Sequence, residues 1–212
     1  MVKVYVEGGG DSNALRIACR AGFSEFFKKA GLAGKMPRIV ACGSRRDAYD
    51  SFCTAIDQGE DALLLVDSEA PVAATFQNTD DHSTWQPWSH LAERVGDQWP
   101  KPAKAKDLQC HLMVQCMESW FLADRNTLKS FFGQGFNESQ LPAEANAIEN
   151  VTKDQIFSSL ANATSACKTK AKYGKGEHSF KLLANINSTK IISASPWAKR
   201  LVEELKKKMG VN

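Results

Sequence analysis

Three short apolar runs separated by two segments of helical spacing restrict this chain more than any other feature. The runs are Val2 to Val6 (VKVYV), Arg38 to Cys42 (RIVAC) and Ala62 to Val66 (ALLLV). Between the first two, Ala14, Ile17, Ala18, Ala21, Phe23, Phe26 and Phe27 fall at helical positions, with Ser12 as N-cap and Gly31 and Gly34 as stop signals. Gly22 lies inside that stretch and argues against one unbroken helix. After Gly43-Ser44, the positions of Ala48, Phe52, Ala55 and Ile56 mark a second helix. The third run is apolar throughout, as expected of a strand covered on both faces. The β-α-β-α-β order predicts an α/β fold with a mostly parallel sheet flanked by helices.

The stretch from Pro71 to Asp107 is rich in Asp, Ser, Thr, Gln, Pro and Trp, with only Trp88 to Val95 helical in pattern, and reads as an inserted loop or lid. His111 to Met117 (HLMVQCM) predicts a fourth buried strand, and Glu118 to Asp124 a turn into a helix. Further helix candidates are Thr152 to Cys167, Ser179 to Ala184 and Pro196 to Lys208. The expected organisation is an α/β core over residues 1–125, with the insertion near 71–107, and a mainly helical C-terminal extension over 126–212 packed on that core.

With 212 residues, 43% hydrophobic and 24% charged, the chain is able to bury a core, which excludes wholesale disorder and low-complexity polymers. No apolar run approaches the roughly 20 residues of a membrane span. The opening MVKVYV enters a strand pattern without a signal-peptide layout, so a cytoplasmic protein without a membrane partner is expected. The six cysteines include no C-x-x-C pair, and buried reduced thiols are expected rather than a zinc site or disulfides. The net charge of +3 is small, but its distribution is uneven. Up to Asp107 there are 13 Lys and Arg against 15 Asp and Glu; beyond it, 14 against 9. An acidic half suited to collecting metal therefore precedes a basic half suited to collecting phosphate, although an uneven solvated surface would give the same counts.

The acids fall in a pattern. Glu7 ends the first strand, Asp67 and Glu69 follow the third, and Glu118 follows the fourth. In an open parallel sheet the carboxyl ends of the strands share one edge, where ligands bind. Asp11 follows Glu7 closely and adds a fifth acid. Like charges gathered there repel unless a cation sits among them, and hard oxygen ligands suit Mg2+ or Mn2+. In the D-x-E pair, alternate residues of an extended segment point the same way and can face one ion. Turns also tolerate carboxylates, which explains any single one of these acids equally well. The placement of Glu7, Asp67 and Glu69 beyond apolar strands of one inferred sheet favours the metal.

Basic and glycine-rich segments supply the complementary signal. Gly8-Gly9-Gly10 between strand and helix lets backbone N–H groups approach a phosphate, and a tight turn needing positive φ explains it nearly as well. Arg45 and Arg46 occupy a first helical turn, where the macrodipole disfavours positive charge and a bound phosphate would compensate; Asp47 and Asp50 are alternative partners. The run from Lys168 to His178 carries Lys168, Lys170, Lys172 and Lys175 among glycines, with Tyr173 and His178, as expected of a loop gripping a phosphate backbone or of a solvated helix end. Lys175, between two glycines, is the expected neutraliser of charge in a phosphoryl transition state. Trp85, Trp88 and Trp99 read as core cover ahead of base stacking, and His111 as a structural histidine.

Glu7-Gly8 after one strand and Asp67-x-Glu69 after another resemble the Toprim pattern of topoisomerases, primases and OLD-type nucleases. More closely, VEGGGD at Val6 to Asp11, LVDSE at Leu65 to Glu69, MVQCMESWFLAD at Met113 to Asp124 and KYGKGEH at Lys172 to His178 resemble bacterial Toprim-like proteins of the domain-of-unknown-function family 4276. The resemblance implies a Toprim-like fold in which Glu7 takes the place of the Toprim glutamate, Asp67 and Glu69 that of the acidic pair, and Asp11 that of the second acid in E-G-x-x-E nucleases. The second acid of the pair is a glutamate here, longer than the usual aspartate. It also implies an ATPase partner in a bacterial defence setting.

The combined expectation is a Mg2+- or Mn2+-dependent phosphodiesterase acting on DNA or RNA, with further copies of the chain as an additional candidate partner. Glu7, Asp67, Glu69 and Lys175 are the expected catalytic residues; Glu7, Asp11, Asp67, Glu69 and Glu118 the expected metal ligands; and Gly8, Gly9, Gly10, Arg45, Arg46, Lys172, Lys175 and His178 the expected phosphate contacts. The rival expectations are a non-catalytic Toprim-like subunit of an ATPase complex and a hydrolase of nucleotides or small phosphate esters.

Overall fold

A computed structural model describes residues 1–10, 12–176 and 178–211. The strands β1 (Lys3–Gly9), β2 (Arg38–Gly43), β3 (Ala62–Asp67) and β4 (Cys110–Met113) form one sheet in the order β2-β1-β3-β4, with every pairing parallel. The helices are α1 (Asn13–Phe27), α2 (Arg45–Asp57), α3 (Pro87–Glu93), α4 (Arg125–Phe132), α5 (Lys153–Ala163), α6 (Ser179–Asn185), α7 (Ser188–Ala194) and α8 (Pro196–Met209). None is long and apolar enough to cross a membrane.

The side-chain alternation of the strands divides the core into two layers. Val4, Val6, Leu63 and Leu65 pack with Phe23 and Phe26 of α1 and with Leu182 and Leu201 from the C-terminal helices. Tyr5, Leu64, Val66 and Leu112 face the other way, onto Phe52 of α2 and the buried Trp85 and Trp88. Helices thus cover both faces, which is why β3 tolerates no polar residue before Asp67. The segment near 71–107 belongs to this second layer. Its Trp99 stacks on Tyr49 with centroids 4.7 Å apart, and Trp85 lies 4.7 Å from Trp197 of α8.

Several boundaries differ from those the sequence suggests. α1 runs unbroken through Gly22 and gives way to a π-helical turn, Lys28–Leu32, in which Gly31 has φ 98°. The fourth strand ends at Met113 rather than Met117, because Gln115 leaves the extended region with φ 54° and donates its N–H to Ser68 Oγ at 2.8 Å. Short 3-10 turns over Met117–Ala123 then precede α4. Helix α7 is too short to produce a periodic signal, burying only Ser188 and Ile191. The six cysteines form no disulfide.

Gly22 is retained for packing. A Cβ at this position would meet Phe180 O at 2.8 Å, so the missing side chain lets α1 approach α6 closely. Gly22→Ala improves helix propensity by about 1 kcal/mol, but overpacking costs about 1–3 kcal/mol. The expected net result is a lower thermal midpoint, measured by circular dichroism; a raised midpoint would show that α6 moves away freely.

Candidate functional site

The sheet order creates the site before any side chain is considered. From β1 the chain crosses through α1 to β2, and from β2 it returns through α2 over the opposite face to β3. The carboxyl ends of β1 and β3 therefore border the crevice of a topological switch point. Glu7 stands on β1 and Asp67 ends β3, and the Asp67 N–H donates to Glu7 Oε2 at 3.0 Å. Glu69 follows in the left-handed region, φ 63°, with its N–H bonded to Gln115 O at 3.0 Å. Glu7, Asp67 and Glu69 each offer one oxygen, and these lie within 4.8 Å of one another, a spacing that one oxygen-liganded cation can bridge.

Glu118 joins them from the turn after β4. It is buried; its Oε1 accepts from Tyr173 Oη at 3.1 Å and Ser179 Oγ at 2.9 Å, whereas its Oε2 has no hydrogen-bond partner among the described residues. Glu118 lines a cavity of about 290 Å³ together with Glu7, Asp67, Lys175 and the Gly8-Gly9-Gly10 turn. The three glycines have φ of 130°, 91° and 47°; Gly8 and Gly9 form an irregularity at the end of β1, both opposite Gly43, and with Gly10 they form a wall of the cavity. On the other side of Glu7 a groove of about 550 Å³ is bordered by Arg45, Arg46, Glu69, Arg94 and Asp97. A hollow of about 430 Å³ around Arg125 and Lys190 contains none of the clustered acids.

Electrostatics set the proton affinities. Burial, reinforced by the charges of Glu7 and Glu118, raises the Asp67 carboxyl well above the usual aspartate range. Burial raises Glu7 too, against the opposing pull of Arg45 and the Asp67 N–H. Glu69 goes the other way: burial alone would raise it, but its bond to Lys153 Nζ at 2.6 Å outweighs that and holds it low. At Lys175, desolvation acts to lower the ammonium's pKa, yet Glu118, Asp67 and Glu7 together keep it above the ordinary lysine value. Lys175 Nζ also lies 5.3 Å from the centre of the Phe157 ring.

The expected phosphate contacts divide. Arg45 reaches the acids, 3.6 Å from Glu7 Oε2 and bonded to Asp67 O, and is braced by Asp97 at 2.6 Å. Arg46 instead pairs with Asp50 at 2.9 Å on the surface, and Asp47 is taken up in the Ser44 capping box. Lys172 is exposed and does not line the cavity. His178 is buried against Phe132, and its Nδ1 accepts from the Gly174 N–H at 3.1 Å, a contact that supports the loop. Asp11 lies outside the described residues. Trp85, Trp88 and Trp99 cover the core, and His111 is a buried partner of Arg200 and Leu108 O.

Sequence reasoning passes over Lys153, Arg94, Asp97 and Ser179, all close to the acids or their partners, and reads Tyr173 only as part of the basic loop, not as the partner of Glu118. Lys153 alone left a signal, being a cation in a first helical turn after the Thr152 cap. The others act through contacts between segments distant in the chain.

A buried acid with a raised pKa favours folding while protonated; this contribution is lost as pH rises from the unfolded value, about 4, through the folded one. Without metal, the stability that Asp67 and Glu7 contribute should therefore be lost as pH climbs above about 4. Asp67→Asn keeps an oxygen for the Met117 N–H, bonded at 2.8 Å, and removes the charge. This variant should melt above the metal-free parent at pH 8 by scanning calorimetry; a lower midpoint would mean that the Asp67 charge is already neutralised by its neighbours.

Neither a curated protein nor a solved structure matches this chain. A family model does, over residues 6–206, a span that takes in both the acidic edge and the C-terminal helices. The chain belongs to the family described as Domain of unknown function (DUF4276).

Proposed function

We propose that the protein is a Mg2+- or Mn2+-dependent phosphodiesterase acting on nucleic acid, Toprim-like in the way it presents its acids. One observation carries this reading: three carboxylate oxygens lie within 4.8 Å of one another at the β1–β3 switch point, beside a buried Glu118 Oε2 that lacks a hydrogen bond among the described residues. An all-oxygen donor set of this kind suits a hard divalent cation, and the orphaned oxygen is one that a cation would satisfy. Glu7, Asp67 and Glu69 would hold the ion, with Glu118 as an additional ligand and Asp11 retained as a candidate.

When bound, the ion supplies an activated water and stabilises charge on the departing oxygen. Lys175 contributes a fixed positive charge at the cavity for the phosphoryl oxygens, and Arg45 contributes another from the groove side. The backbone of Gly8 to Gly10 allows a phosphate to approach without side-chain obstruction. Lys168, Lys170 and Lys172 are exposed next to Lys175 in sequence and form a basic strip suited to a polyanionic backbone rather than to a single phosphate ester. An ATPase partner in a bacterial defence system, work in the cytoplasm and assembly with further copies of the chain complete the proposal.

A second reading, a non-catalytic subunit of an ATPase complex, has its own support. Lys153 and Arg45 already neutralise Glu69 and Glu7 in part. Metal titration separates the two. At a hundredfold excess over Kd, a divalent ion bound only to the folded state adds about 2.7 kcal/mol, or roughly 5–10 °C in Tm for a chain of this size. A scaffold gains nothing. Glu7→Ala and Asp67→Ala should each lose that gain and reduce Mn2+-dependent cleavage of an oligonucleotide by at least about a hundredfold. Unchanged cleavage by both folded variants removes the enzymatic assignment.

A further inference from the structure

Lys153 stands where its own helix disfavours it. It is the first residue of α5, and a positive charge in the first turn opposes the macrodipole. Its placement is nonetheless tightly determined. Gln115 Oε1 accepts from the Lys153 N–H at 3.2 Å, while Gln115 O accepts from the Glu69 N–H at 3.0 Å, so one residue sets the backbones of both partners. The ammonium then meets Glu69 Oε1 at 2.6 Å, with the Lys153 and Glu69 side chains 24% and 18% exposed.

The charge count gives this contact a consequence. Among the described residues, the cluster gathers four carboxylates, Glu7, Asp67, Glu69 and Glu118, and three cations, Arg45, Lys153 and Lys175. Asp97, shared between Arg45 at 2.6 Å and Arg94 at 3.1 Å, and Arg94 add one charge of each sign and leave the count unchanged. One divalent ion takes the fully ionised cluster from one negative to one positive charge, which a single phosphodiester neutralises. A second ion would leave it three positive. Two-metal sites place the ions about 3.5–4 Å apart, bridged by shared ligands. Glu69 is the ligand on the groove side, and one of its oxygens is already occupied by an ammonium.

We propose that Lys153 is a resident cation of this site: its ammonium holds the place of a second divalent ion at Glu69, so that the acids take up a single ion. This rests on the metal-dependent reading above, with the orphaned Glu118 Oε2 as the independent sign that the acids await a cation. A protein-borne charge needs no second ion from solution, and it fixes Glu69 before the ion arrives.

The test uses Mn2+ alone, with the full chain, read by isothermal titration and electron paramagnetic resonance. The parent should bind one Mn2+ per chain with an uncoupled spectrum. Lys153→Met should bind two and develop a spin-coupled signal, whereas Lys153→Arg should remain at one. Lys153→Gln, a polar replacement at the same partly exposed position, repeats the test if the methionine variant misfolds. Two ions in the parent, or one in both folded charge-removed variants, overturns the role of Lys153 and leaves the metal site standing. No Mn2+ bound by parent or variants overturns the metal reading and this inference together.

Discussion

Everything at the acidic edge depends on two carboxylates from adjacent central strands, the half-buried Glu7 and the buried Asp67, meeting at one point. The Asp67 N–H donates to Glu7 Oε2, which holds the β1 side chain across the seam to β3. Burial raises the proton affinity of both groups, reinforced at Asp67 by the charges of Glu7 and Glu118 and at Glu7 by that of Glu69. Such a pair stays ionised only if cations approach it, and they arrive from three separate places: Arg45 at the start of α2, Lys153 at the start of α5 and Lys175 in the loop before α6. The C-terminal helices are thus part of the electrostatics of the sheet edge as well as of its hydrophobic cover.

The loops that deliver these groups show the backbone departures common at functional sites. Glu69 and Gln115 both adopt positive φ, at 63° and 54°, without being glycine. Conformations of this kind cost of order 1–3 kcal/mol and persist where surrounding contacts determine them. Here those contacts are reciprocal: Glu69 N–H to Gln115 O, Gln115 N–H to Ser68 Oγ, and the Gln115 side chain to Glu149 O and the Lys153 N–H. Gln115 thereby links the turn after β3 to the start of α5. The same bend ends β4 early, which brings Glu118 to the cavity instead of letting the strand continue past it.

The acids were legible because strand ends are legible. An apolar run of β-formers followed by a carboxylate places that carboxylate at the carboxyl edge of a parallel sheet, and this suffices to bring Glu7 and Asp67 to one cavity, whereas Glu118 reaches it through the early end of β4 and the turn over Met117–Ala123. Cations are harder to read, since a long side chain at a helix end can turn to solvent or inward at little cost. Arg45 and Arg46 are neighbours with the same sequence signal, yet one reaches Glu7 and Asp97 and the other pairs with Asp50 at the surface. His178 had the composition of a phosphate contact but packs against Phe131 and Phe132. The aromatic residues that bury it lie in α4, far away in the chain.

By itself the sequence determined the α/β class, the parallel strands, the two-layered core and the edge on which the acids lie, because strand period, glycine turns and helix caps are local properties. Only the tertiary structure decided which cation meets which acid, which elements the tryptophans of the 71–107 segment pack against, and that Lys153 sits on Glu69. Those outcomes follow from how separate elements pack. A charge in a low-dielectric crevice is governed by whatever arrives within a few ångströms of it, and sequence distance carries no information about that.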